Sequence, residues 1–267
     1  MSETVSPWAD PVPPAPPAPA PPSRAQEWIW GAISTLLLAG WITLNMGWLW
    51  AVAAIVGVFV HELGHVLVIN WAGSGPSRIR IIPFFGGAAT MTRPPTSDFK
   101  GVLIALAGPV FGLLAALPFF ALAAATRQPA WQTGAFVVAA INLLNLAPAP
   151  PLDGAKALGP ILAHIHPMLE RGALIAVGAL AVVWTLSRSS LNPFSLLLPL
   201  LIGLTLFASL RAGRLRAPAA PLSWGQWAAG LAMYVAALAA CGAVAGYAAL
   251  GAGVNFNFGF GDFGLRP

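Results

Sequence analysis

The sequence predicts an all-α polytopic membrane protein with about seven transmembrane helices (six as the alternative) and a small β-hairpin between the second and third spans. Charged side chains are only 8% of 267 residues, with 13 Lys and Arg against 8 Asp and Glu, while 58% of residues are hydrophobic. Mean hydropathy is +0.77. An ordinary soluble domain is roughly 25% charged, so this composition excludes a soluble fold, a polar disordered chain and a nucleic-acid binder. Five excess positive charges raise the pI to about 10.4, and in such a chain they report orientation in the bilayer. A single cysteine, Cys241, excludes an intramolecular disulfide and a Cys-rich zinc site.

Residues 1–27 form a Pro/Ala-rich tail that favours polyproline II and buries no core; it lacks the basic start and short apolar run of a signal peptide. From Trp28 to Val60 no charge interrupts the chain. One helix of that length would measure about 50 Å, beyond a ~30 Å hydrocarbon core. Asn45-Met46-Gly47 is the natural break, giving spans near 28–44 and 48–69, with tryptophans near the proposed ends as interfacial anchors. Further spans are expected near 101–124, 131–147, 172–187, 194–210 and 225–250, the fifth being the one in doubt if only six cross. The core is thus 28–212, followed by a linker and an additional C-terminal helix over 213–250 and a Gly/Phe-rich tail over 251–267.

The positive charges test this count. Arg24, Arg78, Arg80, Arg93, Lys100, Lys156, Arg171, Arg211, Arg214 and Arg216 fall on one side, and Arg127, Arg188 and Arg266 on the other. The positive-inside rule then puts the N-terminus in the cytoplasm and the C-terminus outside, as in a bacterial-type inner membrane. Between the second and third spans, Arg78 to Met91 alternates briefly and carries Gly86-Gly87, which reads as a hairpin at the cytoplasmic face. Pro83 restricts its strand to an edge or bulge. Such an edge is either a structured loop or a surface that pairs with an extended peptide.

The chemistry sits in His61-Glu62-Leu63-Gly64-His65. Four residues turn a helix by about 400°, so the two imidazoles share a face and can meet one metal ion. Glu62 is placed to act as general base on a metal-activated water, and Gly64 is expected to leave room beside the metal. Ionisable groups within an apolar span are costly unless they pair, bind metal or line a wet cavity. A catalytic zinc site needs a third protein ligand. Asp153 is the favoured candidate, because the second and fourth spans run in the same direction and Pro148, Pro150 and Pro151 open the helix before it. His164 and His166 are rivals, with a spacing that puts them on different helix faces. Of Asn142 and Asn145, Asn145 is nearer the broken backbone and is favoured for an oxyanion or substrate contact.

These residues resemble the site-2 protease family of intramembrane zinc metalloproteases (peptidase family M50). The resemblance rests on His61 to His65 in one span and Asn145-Leu146-Ala147-Pro148-Ala149-Pro150-Pro151-Leu152-Asp153-Gly154 about ninety residues later. Phe85-Gly86-Gly87-Ala88 and Ala107-Gly108-Pro109-Val110-Phe111-Gly112 support it. It covers roughly residues 45–160. The resemblance implies one zinc per chain held by His61, His65 and Asp153, with Glu62 as catalytic base. It further implies cleavage in or near the transmembrane helix of a single-span membrane protein, with Gly86, Gly87 and Asn145 helping to hold the unwound substrate. Many members carry Gly-Gly after the aspartate, where this chain has Gly154-Ala155. No PDZ-like insertion fits between the motifs, so recognition is expected to fall to the membrane core, the tails or a regulatory partner bound through them. The sequence also admits two other readings: a metal or proton transporter, which should show repeats or a second polar relay, and a catalytically idle homologue.

Overall fold

The structure is a computed structural model that describes residues 24–82, 86–186 and 219–253, and within 187–218 only Gly203, Leu204 and Phe207. The Pro-rich tail up to residue 23, the Gly/Phe-rich tail from 254 and, apart from those three residues, the span expected at 194–210 lie outside the described residues. Eight helices are described: α1 (Arg24–Met46), α2 (Trp48–Trp71), α3 (Asp98–Leu114), α4 (Leu117–Thr126), α5 (Ala130–Asn145), α6 (Asp153–Ile165), α7 (Pro167–Leu186) and α8 (Trp224–Gly251). Among the described residues, four stretches are long and apolar enough to cross a membrane: Ile29–Met46, Trp48–Trp71, Asp98–Thr126 and Trp224–Gly251. Seven spans are therefore not confirmed. The fourth expected span coincides with α5, which at 16 residues is short for a bilayer that takes about 20.

The first break falls where the sequence places it. Gly47 adopts φ 101° between α1 and α2, a backbone state that costs glycine little and other residues more. The third span is one 29-residue stretch made of α3 and α4, jogged at Ala115-Ala116 and resumed by a helix carrying proline in its first turn. The expected hairpin is present as β1 (Arg78–Ile82) and β2 (Gly86–Thr90), antiparallel, with Ile79 opposite Ala89 and Ile81 opposite Gly87. Pro83, Phe84 and Phe85 at its tip lie outside the described residues.

Among the described residues the two larger of three buried clusters join several helices. One joins Val102, Leu106, Leu146, Ile161 and Tyr234 across α3, the end of α5, α6 and α8. The other joins Ala53, Ala116, Phe119, Val138 and Ala248 across α2, α4, α5 and α8. Small residues recur in both, as close helix packing in lipid requires. Large apolar side chains such as Leu36 and Leu44 point outwards, as suits a lipid-facing surface. Lys100 on α3 donates to the Ala72 carbonyl at the end of α2 (3.0 Å), placing a cation where the helix dipole favours one.

Candidate metal centre

α2 carries His61 and His65 one turn apart on the face packed against α3 and α5. The third group arrives from α5 to α6. Beyond Asn145 the prolines stop α5, the chain turns through Leu146 to Leu152, and α6 begins at Asp153. That turn is well supported. The Tyr234 hydroxyl on α8 donates to the Leu146 carbonyl at 2.6 Å, satisfying an acceptor freed by the end of the helix. Gly154 presses on the same Leu146 carbonyl so closely that a Cβ there would collide with it.

Asp153 Oδ2 consequently lies 3.0 Å from both His61 Nε2 and His65 Nε2, which are 3.1 Å from each other. All three side chains are buried. Their outer atoms are held as well. His61 Nδ1 donates to Asn142 Oδ1 (2.8 Å) and His65 Nδ1 to the Ile104 carbonyl (2.7 Å). Lys156 Nζ donates to Asp153 Oδ1 (2.9 Å), leaving Oδ2 turned inwards. With both Nδ1 atoms donating, each neutral imidazole presents its Nε2 lone pair to the carboxylate oxygen and to the other ring. Three converging acceptors repel one another unless a cation lies among them. Two imidazole nitrogens and one carboxylate oxygen are a common ligand set for zinc, and among the described residues this trio forms a group able to hold a metal ion.

Glu62 is buried beside them, and its Oε2 accepts the Ala89 N–H of β2 at 2.7 Å. Ala89 thus turns its N–H towards α2, so one edge of the hairpin faces the centre. Gly86 and Gly87 sit in that strand opposite Ile82 and Ile81. Asn145 donates its amide to the Ile141 carbonyl of its own helix at 3.0 Å, and it is Asn142 that reaches the histidines. His164 packs edge-on against Trp224 at 4.5 Å, and His166 Nδ1 accepts the Met168 N–H; both lie away from the trio.

The glycines of the two flanking motifs acquire distinct tasks. Gly64 faces α3: a Cβ there would stand 2.6 Å from the Ala107 carbonyl oxygen and 2.7 Å from Phe111 Cβ, so it permits α2 and α3 to touch. The space beside the ligands is provided by Gly108 of α3, where a Cβ would run into the Nε2 atoms of His61 and His65. Gly112, one turn on, leaves room for the Asn142 amide. The sequence offers Asn142 but favours Asn145, shows Gly108 only as part of a motif, and gives no sign of Tyr234 as part of this centre. The four-residue spacing of Gly108 and Gly112 was a signal for a close helix face, whereas nothing local to Tyr234 announced its contact.

Residues 49–129 match the family model of Peptidase family M50, a stretch that holds His61, Glu62, His65, Gly108 and Gly112. The chain is 29% identical over 161 residues to "Putative zinc metalloprotease sll0528" of Synechocystis, covering 58% of this chain and 38% of that protein. It is 33% identical over 144 residues to "Putative zinc metalloprotease Rip3" of Mycobacterium tuberculosis, covering 50% of this chain and 36% of that one. The chain thus spans little more than a third of the length of these curated relatives. The family that these matches find is the one the motifs resemble: over residues 49–129 the chain is similar to the M50 peptidases, the site-2 protease family.

Proposed function

We propose that this protein is an intramembrane zinc metalloprotease that hydrolyses a peptide bond in or near the transmembrane helix of a single-span membrane protein. The observation that carries the reading is the convergence of His61 Nε2, His65 Nε2 and Asp153 Oδ2 within an apolar span, with the Glu62 carboxylate buried beside them. The resemblance to proteins named as zinc metalloproteases supports it. Those three atoms would hold the zinc, which when bound supplies Lewis acidity towards a water molecule and the scissile carbonyl.

The rest is work for the chain's own residues. Glu62 takes a proton from the attacking water and returns it to the leaving amine. Before substrate arrives, its Oε2 holds the Ala89 N–H. A substrate strand laid along the same edge of β2 takes up that N–H, which frees Glu62 at the moment the peptide is in place. Gly86 and Gly87 leave the strand without bulky side chains where the peptide approaches. Asn145 is a candidate donor to the substrate backbone once its bond to Ile141 is exchanged. The substrate helix has to unwind first, because a helical amide is already hydrogen-bonded, so helix-breaking residues near the cleaved bond are expected. The distribution of positive charge supports a cytoplasmic N-terminus and approach of water from that side.

Reconstitution with a panel of single-span substrates tests the reading. Cleavage should require zinc and should fall by about 10²–10⁴-fold in Glu62→Gln, the range for loss of a general base. Zinc flux across the vesicle with no cleavage would replace this reading with a transporter.

A further inference from the structure

Asn142 is fully buried, lies outside the proposed ligand trio and takes no part in the chemistry above. Its Nδ2 donates to the Val138 carbonyl at 2.8 Å, and its Oδ1 faces His61 Nδ1 at the same distance. The first bond orients the amide, and an amide oxygen can only accept. His61 Nδ1 must then carry the proton, which leaves Nε2 as the lone-pair atom directed at Asp153 Oδ2 and His65 Nε2. We propose that Asn142 is a positioning residue that fixes the tautomer and ring orientation of His61 and thereby sets the affinity of the centre for its metal. The proposal rests on the zinc reading and deepens it.

The contact is built into the packing. Gly112 of α3 lies against the amide with no room for a side chain, so α3 confines Asn142 where it meets His61. Gly57 brings α2 close to α5 one turn before His61, with a Cβ position 3.2 Å from Val138 Cγ2. His65 receives the equivalent support from a backbone carbonyl, that of Ile104, which no substitution removes. For His61 the support is a side chain and can be varied. It is also neutral. A carboxylate in its place would add a third negative charge to a buried region that already holds Glu62 and Asp153.

The test uses the full chain in detergent micelles, with zinc affinity measured by chelator competition and the visible spectrum of the Co²⁺-loaded protein. Asn142→Leu is expected to weaken zinc binding by about 10–100-fold, the usual effect of losing an outer partner of a metal-binding histidine, and to shift the Co²⁺ bands. Asn142→Asp keeps an acceptor for Nδ1–H, so despite the added charge it is expected to bind zinc more tightly than Asn142→Leu. Unchanged affinity and an unchanged Co²⁺ spectrum in Asn142→Leu would overturn the proposal. If that variant does not fold, ¹⁵N resonances of labelled histidine in metal-free wild type at mildly alkaline pH read the tautomer: a proton on Nδ1 of His61 is expected, and a proton on Nε2 overturns it. A wild type that binds no zinc defeats the zinc reading itself, a result distinct from either.

Discussion

Gly108 shows how finely the centre is set at the scale of single residues. Any side chain there would enter the space shared by His61 Nε2 and His65 Nε2. Gly108→Ala should therefore displace the imidazoles or push α3 away, an overpacking cost of about 1–3 kcal/mol, and zinc retention after dialysis should fall with it. Retention of zinc at the wild-type level would show that the ligands have slack that the packing does not suggest. Glu62→Gln keeps the shape of the side chain and an oxygen for the Ala89 N–H, so it should remove cleavage without lowering zinc content or melting temperature. Much of this centre was legible in the sequence, because helical spacing alone puts His61 and His65 on one face and charged groups are conspicuous in an apolar span. The tasks of Gly64 and Gly108 were not. Both follow from the distance between α2 and α3, which no local pattern encodes.

At the scale of elements, the decisive feature is the turn from α5 to α6. Prolines end α5, and the carbonyl they leave at Leu146 is satisfied by Tyr234 from α8, almost ninety residues away in sequence. Tyr234→Phe leaves that buried acceptor without its donor, at a cost of about 1–3 kcal/mol. Because Asp153 is carried by the same turn, the variant should lose both thermal stability and zinc affinity. Loss of stability alone would show that the turn holds its shape without α8. The interruption before Asp153 could be read from its prolines, and the hairpin from its alternation and paired glycines. The partners of these elements could not, since the Ala89 to Glu62 bond and the Tyr234 to Leu146 bond join segments that are distant in sequence. The preference for Asn145 over Asn142 has the same origin: proximity to the broken backbone is visible in the sequence, whereas the face that Asn142 presents to α2 is a property of helix packing.

For the whole molecule, four stretches among the described residues suffice to cross a bilayer, and they enclose polar groups that lipid would otherwise exclude. The charge asymmetry predicts the direction of insertion. A reporter active only outside the cytoplasm should be silent when fused at Pro95 and active when fused at Gln128, and the reverse pattern would invert the topology. All of the proposed chemistry requires that His61, His65 and Asp153 together hold a single zinc ion. Its most direct test is the zinc content of purified full-length protein by elemental analysis, in wild type, Glu62→Gln, His61→Ala and Asp153→Ala, each checked for folding. One zinc per chain in the first two and essentially none in the last two is the predicted result. Equal zinc in all four, or none in any, would contradict it.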